Sequence, residues 1–159
     1  MDFKLFYIYL TLLFFVACSP EPQQCGMLLI QNNTANTIIV ESNIVCFDPH
    51  YPLKFELLQG DTKVIACSRA KKQTSGKSIP IEEIIDNYAE AEVRMTSIVN
   101  GVEISKTWTY ASRNDSDCEL FNLDHCTVDF GEDSRKNFTT IYYTFKVSNL
   151  TATNSNFLN

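Results

Sequence analysis

The sequence predicts an all-β (mainly) fold, an antiparallel immunoglobulin-like β-sandwich of seven or eight strands with one short helix near residues 80–88. Three observations support this. Apolar residues recur with a period of two, turn-forming residues separate these runs at regular intervals, and 45% of the 159 residues are apolar, which is enough to fill one core. We therefore expect a single sandwich domain over residues 26–150, followed by a disordered polar tail over 151–159.

The first half of this domain contains four predicted strands. Their runs cover residues 27–31, 37–45, 53–57 and 62–67. A polar turn over 32–36 joins the first two runs, and Gly60-Asp61 joins the last two. Because each pair is separated by a short polar turn, we expect two successive hairpins.

The second half begins with the predicted helix. Ile81, Ile84, Ile85 and Tyr88 recur at helical spacing after Pro80, and acidic residues follow the proline, where carboxylates favour the helix dipole. We expect this helix to cover one end of a sheet.

Asn100-Gly101 is the clearest turn signal in the chain. It lies between two runs of alternating apolar residues, and both residues readily adopt the positive φ of a type I′ turn, so we expect a hairpin. Two more strands follow. In the first, Cys126, Val128 and Phe130 are expected to face one way; in the second, the odd-numbered residues of 141–147 are expected to do so.

The first eighteen residues have the pattern of an export signal. Lys4 precedes an apolar run over 5–16, and Ala17 precedes Cys18. A run of twelve residues is too short to cross roughly 30 Å of hydrocarbon, which takes about 20 helical residues, so the run is predicted to be a signal rather than a membrane span. The following residues 19–24 are polar and proline-rich, as in a short extended tether.

The Ala17-Cys18 junction resembles the lipobox of bacterial lipoproteins, in which a small residue precedes a cysteine that is lipidated and becomes the mature N-terminus. The resemblance covers about 20 residues. It implies a signal peptide over 1–17, acyl chains of the palmitate type on Cys18, and a tether over 18–25. Ser19 after the cysteine implies the outer membrane of a bacterial cell envelope.

Cleavage after Ser19 is the alternative, and it would leave a soluble secreted protein. In a eukaryotic secretory pathway such a protein would be a glycoprotein, because the chain contains four N-x-[ST] sequons. These sequons begin at Asn32, Asn114, Asn137 and Asn149.

The net charge of the chain limits the classes of partner that it can bind. The net charge of −6 argues against nucleic acid, which binds clustered Lys and Arg, and against electrostatic attachment to an anionic bilayer. Membrane binding is therefore expected to come from the N-terminal lipid alone. The remaining partner is expected to be an unknown protein or glycan.

Five cysteines remain in the mature domain besides Cys18. Outside the cytosol most would pair, and we expect two disulfides, Cys118 with Cys126 and Cys46 with Cys67. The short loop between the first two would contribute on the order of 2.5 kcal/mol through chain entropy. Cys25 is the expected odd cysteine, although spacing alone leaves the connectivity open.

No motif predicts a catalytic, metal or cofactor site. Cys118, Asp124, His125 and Cys126 carry zinc-binding side chains, but seven residues separate the cysteines and no second ligand pair follows, so a disulfide is the better interpretation. A thiol enzyme or other exported hydrolase at this cluster stays the alternative to a non-enzymatic surface module.

Two further features offer binding surfaces. A basic loop could contact an acidic glycan or protein, although a solvated connection explains it equally. Its residues are Arg69, Lys71, Lys72 and Lys77. An exposed row of aromatic rings could bind sugar, although core and cross-strand packing is the ordinary role of such rings. Those rings are Trp108, Tyr110, Phe138, Tyr142 and Tyr143.

Overall fold

The structure, a computed structural model, describes residues 21–48, 51–73, 78–115, 119–133, 137–148 and 150. The predicted signal and lipidation position Cys18, the predicted tail, and Cys118 lie outside these residues. Within them the chain is mainly β, as predicted, with two sheets around one core and one short α-helix.

Nine strands form the two sheets in the described part of the chain. They are β1 Gln23–Asn32, β2 Ile38–Ser42, β3 Lys54–Leu57, β4 Thr62–Cys67, β5 Lys71–Lys72, β6 Glu92–Val99, β7 Val102–Thr109, β8 Thr127–Asp133 and β9 Phe138–Val147. The count exceeds the predicted seven or eight because β5 is two lysines long, too short to show any period.

Sheet A has the order β4-β1-β9-β8, with β5 also paired to β1, and sheet B has the order β3-β2-β6-β7. Every pairing is antiparallel except one. β1 and β9 run parallel from Gln23 beside Phe138 to Asn32 beside Val147, so the predicted purely antiparallel sandwich is wrong for sheet A. Periodicity reports which residues are buried, and it carries no information on strand direction.

Both hairpins predicted in the first half are wrong. β1 and β4 belong to sheet A, whereas β2 and β3 belong to sheet B, so each polar turn carries the chain between sheets instead of back along its neighbour. Each strand pairs instead with a strand of the other expected hairpin: β1 pairs with β4, and β2 pairs with β3.

Buried Asn32 explains why these turns cross between sheets. Its Nδ2 donates to the carbonyls of Asn36 at 2.8 Å and Leu57 at 2.9 Å. Its Oδ1 accepts from the Thr34 N–H at 2.9 Å, and its backbone N–H donates to Asp61. One side chain therefore satisfies polar groups of both crossings, which is how a polar residue is accommodated in a core.

The Asn100-Gly101 hairpin is confirmed. Asn100 has φ 53° and Gly101 has φ 78°, the positive values that a type I′ turn requires. Val99 and Val102 pair directly across the turn, which joins β6 to β7.

The core lies between the inner faces of the two sheets. Leu28 of β1 and Ile38 of β2 are fully buried, and the rings of Trp108 in β7 and Phe145 in β9 meet edge to face with centroids 5.8 Å apart. Such pairs add about 0.5–1.5 kcal/mol beyond burial. Sheet B therefore contacts sheet A at the level of β9.

The one α-helix among the described residues, α1 Ile81–Ile84, is shorter than predicted. Ile85 is already extended, and a 3₁₀ turn follows at Tyr88–Glu90. Ile84 packs against Gly26 of β1 so closely that a Cβ on Gly26 would lie 3.1 Å from its side chain. Of the predicted apolar stripe, Ile81, Ile84 and Ile85 are buried, whereas Tyr88 is 37% exposed.

Candidate functional site

The four described cysteines are free thiols in the structure. Cys126 packs against the core just before β8, and burial raises the pKa of its thiol to about 12. At neutral pH this thiol is protonated, whereas a catalytic cysteine needs a lowered pKa. Its predicted partner Cys118 lies outside the described residues, so that disulfide stays a prediction.

Cys46 and Cys67, the other predicted pair, lie in one neighbourhood. The Cys46 thiol donates to the Asp48 carbonyl at 3.4 Å. Burial raises the pKa of the Cys67 thiol, and nearby Cys46 raises it further. The pKa of Tyr51 is raised to about 12, chiefly by burial and then by Cys67. Cys67 ends β4 as expected, whereas Cys46 lies in the loop after β2, which ends at Ser42. The bond between them stays a prediction.

The remaining residues of the predicted cysteine–histidine cluster have structural contacts. His125 Nδ1 accepts a hydrogen bond from the Glu119 N–H at 3.0 Å, and Asp124 lies exposed in the 3₁₀ turn Leu123–His125. Over the described ranges no group of three or more His, Cys, Asp or Glu residues is arranged to hold a metal ion.

The basic loop is engaged within the protein. The Arg69 guanidinium lies 5.2 Å from the centre of the Phe47 ring. Lys71 pairs with Glu83 and Lys72 with Glu21, each at 2.9 Å. Lys77 lies outside the described residues. Exposed pairs of this kind contribute little stability, but they leave the three described cations already matched to groups of the same chain.

The five aromatic rings do not form one exposed row, and core packing, their ordinary role, accounts for two of them. Trp108 and Tyr143 are buried in the core. Tyr110 packs edge to face on Tyr88 at 5.0 Å, and its hydroxyl donates to Glu82. Phe138 and Tyr142, the other two rings, belong to the opposite face of β9 from the buried Tyr143. These rings serve packing, so this sugar-binding surface is not supported.

β8 is a strand whose core-facing side chains are left partly exposed. It is the last strand of sheet A and pairs, within the described residues, with β9 alone. Val128 pairs with Tyr143 and Phe130 with Ile141, so both belong to the core-facing side of the sheet. Yet Val128 is 45% exposed and Phe130 61%, because sheet B ends over β9. We call β8 with these two side chains the open edge.

A groove of about 250 Å³ runs beside the open edge. Its wall on the β9 side is Ile141 and Tyr143, and Gln24, Gln73 and Ser78 line the other side. The Tyr143 hydroxyl accepts a hydrogen bond from the Ile79 N–H at 2.8 Å. This bond holds the segment that contains Ser78 and Ile79 against sheet A. This edge groove is thus an uncovered continuation of the core.

The open edge is acidic. Residues 127–133 contain Asp129, Glu132 and Asp133 and no Lys or Arg. The Phe130 N–H donates to the Asp129 carboxylate at 2.8 Å, so this N–H points away from β9, and a side chain of β8 itself satisfies it. Such capping is one way in which proteins prevent uncontrolled edge pairing.

A second groove, of about 350 Å³, lies on the outer face of sheet B. Ile39 and Ile98 form its apolar part, between Glu56 and Glu103. It lies near the crossing turns, at the opposite end of the domain from Gln23. We call it the distal groove. Ile39 and Ile98 belong to β2 and β6, which are paired on both sides, so the apolar part of this groove offers side chains but no open backbone.

No known protein family, curated sequence or solved structure matches this chain. No helix in the part of the chain that the structure describes is long and apolar enough to cross a bilayer. The open edge was missed at the level of sequence because Val128 and Phe130 have the spacing of core residues. The signal that could have found it is the acidic composition of the same strand.

Proposed function

We propose that this protein is an exported, non-enzymatic lipoprotein, held at the bacterial outer membrane by lipid on Cys18, and that its β domain binds a partner through the open edge. The anchor is supported by the signal pattern and by the cysteine directly after Ala17. The binding role is supported by one observation above the others, the exposure of two core-facing side chains on an edge strand.

The distance from anchor to domain supports the same proposal. β1 begins at Gln23, five positions after Cys18, a reach of at most about 18 Å. The domain would therefore stand close to the bilayer. Gln24 lines the edge groove, so the open edge would lie at the membrane-proximal end and the distal groove at the far end.

The finer fold assignment is part of the proposal. Two sheets on one core, with the first and last strands paired in parallel, are compatible with an immunoglobulin-like sandwich in the broad sense of that architecture. A fold of this kind hosts many unrelated functions, so the function is argued from the edge and the anchor alone.

Acylation of Cys18 is tested by expressing the full chain in a Gram-negative host. Cys18→Ala, or globomycin, is expected to abolish acylation and to move the protein out of the membrane fraction. Cys25→Ala is the matched control, since it changes a cysteine of the folded domain and leaves the junction intact. An unmodified mature protein that begins after Cys18, found by mass spectrometry, would contradict the anchor.

Secretion as a glycoprotein stays the alternative, and one of its four sequons is unfavourable. Asn32 is fully buried, and its Nδ2, the atom that would carry a glycan, donates two hydrogen bonds. A glycan there would prevent the native packing. Asn114 and Asn137 are exposed, so a glycoprotein is expected to carry sugar at those positions and none at Asn32, which peptide mapping would show.

A further inference from the structure

We propose that the open edge binds an extended, basic segment of another polypeptide as an added strand of sheet A. This inference deepens the proposed function, and rests on it, by stating the chemistry of the partner. Three properties of β8 point to this occupant: its position at the edge of sheet A, its exposed apolar side chains, and its charge.

The backbone of β8 favours a partner in an extended conformation. An edge strand presents N–H and C=O groups that an incoming chain pairs with directly, whereas a glycan or helix leaves most of them without partners. The Phe130 N–H is bonded to Asp129 in the free protein. An incoming carbonyl would take over this N–H and release the carboxylate, so one hydrogen bond is exchanged for another.

The side chains call for apolar residues at alternate positions. A new strand lies about 4.8 Å from β8, and every second side chain would point to the core side. There it would pack against Val128 and Phe130, as cross-strand neighbours do, and reach the edge groove of about 250 Å³. The partner's apolar side chains would thus complete the core that sheet B leaves uncovered.

The acidic residues of β8 favour a partner with Lys or Arg at the positions between its apolar residues. Asp129, once released, is exposed on the outer face, where these intervening side chains would lie, and β8 contains no cation of its own. Glu132, also exposed, belongs to the core-facing side with Phe130 and lines the edge groove. A second copy of this chain would bring acidic residues against acidic residues in a protein of charge −6. The C-terminal residues 151–159 contain no charged residue. Neither a second copy nor this C-terminal segment therefore supplies the positive charge that β8 favours.

The test uses a synthetic probe, acetyl-Lys-Val-Lys-Phe-Lys-Val-Lys-amide, and the mature protein purified from whichever cell fraction contains it. Binding is measured by calorimetry. Replacing the lysines of the probe with glutamate is expected to weaken binding by about tenfold or more, through lost charge complementarity. Methylating alternate backbone nitrogens along one edge is expected to weaken it similarly, because those N–H groups no longer join the ladder.

Matched protein variants locate the site. Phe130→Lys is expected to weaken binding of the basic probe by about tenfold or more, through lost packing and added repulsion. Ile98→Lys, which places the same charge in the distal groove, is expected to leave affinity within about twofold. Circular dichroism of both variants verifies folding.

Three results would overturn the inference. They are equal affinity for the basic and acidic probes, undiminished affinity after Phe130→Lys, and self-association of the protein that Phe130→Lys abolishes, which would identify a second copy as the occupant. Because binding is measured on purified protein, failure here is separate from failure of the anchor, which acylation and fractionation report.

Discussion

The two sides of the sandwich are closed in different ways. On the β3–β4 side, the edge strands of both sheets are joined by the short turn at Gly60. Lys63 of β4 also links them, since its Nζ donates to the Glu56 carbonyl at 2.9 Å and lies 5.1 Å from the centre of the Phe55 ring. The core-facing residues of β3 are buried there.

On the β7–β8 side, the two edge strands are far apart in sequence and behave differently. β7 carries Lys106 on its core-facing side, opposite buried Met95, with its Nζ 4.7 Å from the Trp108 ring. An inward-pointing lysine is a known protection of an edge strand. β8 has no such lysine, and its core-facing Phe130 is exposed. Among the described residues, the contrast indicates that β8 is the edge best suited to a partner.

The largest expected effect tests the closed side. Asn32→Ala is expected to lower the free energy of unfolding by about 3 kcal/mol or more, because it leaves the buried carbonyl of Leu57 and other groups of both crossings without partners. Asn33→Ala is the control, since Asn33 is exposed, and it is expected to change stability by at most about 0.5 kcal/mol. Urea denaturation measures both. Equal free energies of unfolding for the two variants would contradict the role of Asn32 in holding the two crossings together.

A second pair of substitutions compares the two sides directly. Leu57 of β3 is 0% exposed and Val128 of β8 is 45% exposed, although both face the core side of their sheets. Leu57→Ala is expected to cost about 2–5 kcal/mol through a buried cavity, and Val128→Ala about 0.5 kcal/mol. Denaturation midpoints report the difference. A large loss for Val128→Ala would mean that the edge is covered in solution.

Gly131 tests how β8 packs on its outer face. A Cβ at this position would lie 2.9 Å from the Tyr142 ring, so Gly131→Ala is expected to displace the ring and cost about 1 kcal/mol. In a Tyr142→Ser background the same change is expected to stabilise slightly, since Ala loses less backbone entropy than Gly. Thermal melts of the double-mutant cycle measure the coupling. Additive effects would contradict the contact.

The last effect is absent at neutral pH, appears only at alkaline pH, and tests the residue that precedes β8. The pKa of the Cys126 thiol rises from 9.0 to about 12 on burial. Burial of the neutral thiol therefore stabilises the fold fully below pH 9, and this contribution is lost as pH rises toward about 12. The difference in melting temperature between wild type and Cys126→Ala is expected to be constant up to pH 9 and to shrink above it. Parallel profiles up to pH 12 would contradict this.

Sequence reasoning recovered what depends on local pattern. The β class, the Asn100-Gly101 hairpin and the alternation in β9 are all set by period and turn chemistry, which neighbouring residues determine. The short helix was found for the same reason, although Ile85 ends it early. Disulfide pairing of Cys46 with Cys67 stays a prediction, with the two residues now placed in one neighbourhood.

Strand partners and the open edge depend on contacts between distant residues. Asn32 stands in a run of polar residues that resembles any surface turn, and only its contact with Leu57 reveals a crossing between sheets. Val128 and Phe130 alternate as core residues do, and their exposure follows from where sheet B ends. Pattern identifies the face to which a side chain belongs, but the extent of the opposite sheet decides whether that face is covered.

Residue-resolved amide hydrogen exchange tests the open edge most directly. The free protein is expected to exchange alternately along β8, fast at Val128 and Glu132, whose N–H groups face away from β9, and slowly at Asp129 and Gly131. Phe130 is expected to be intermediate, because its outward N–H is bonded to the Asp129 carboxylate. Binding of the basic probe is expected to slow the three outward amides. Uniformly slow exchange along β8 in the free protein would show that this edge is already paired and would contradict the account.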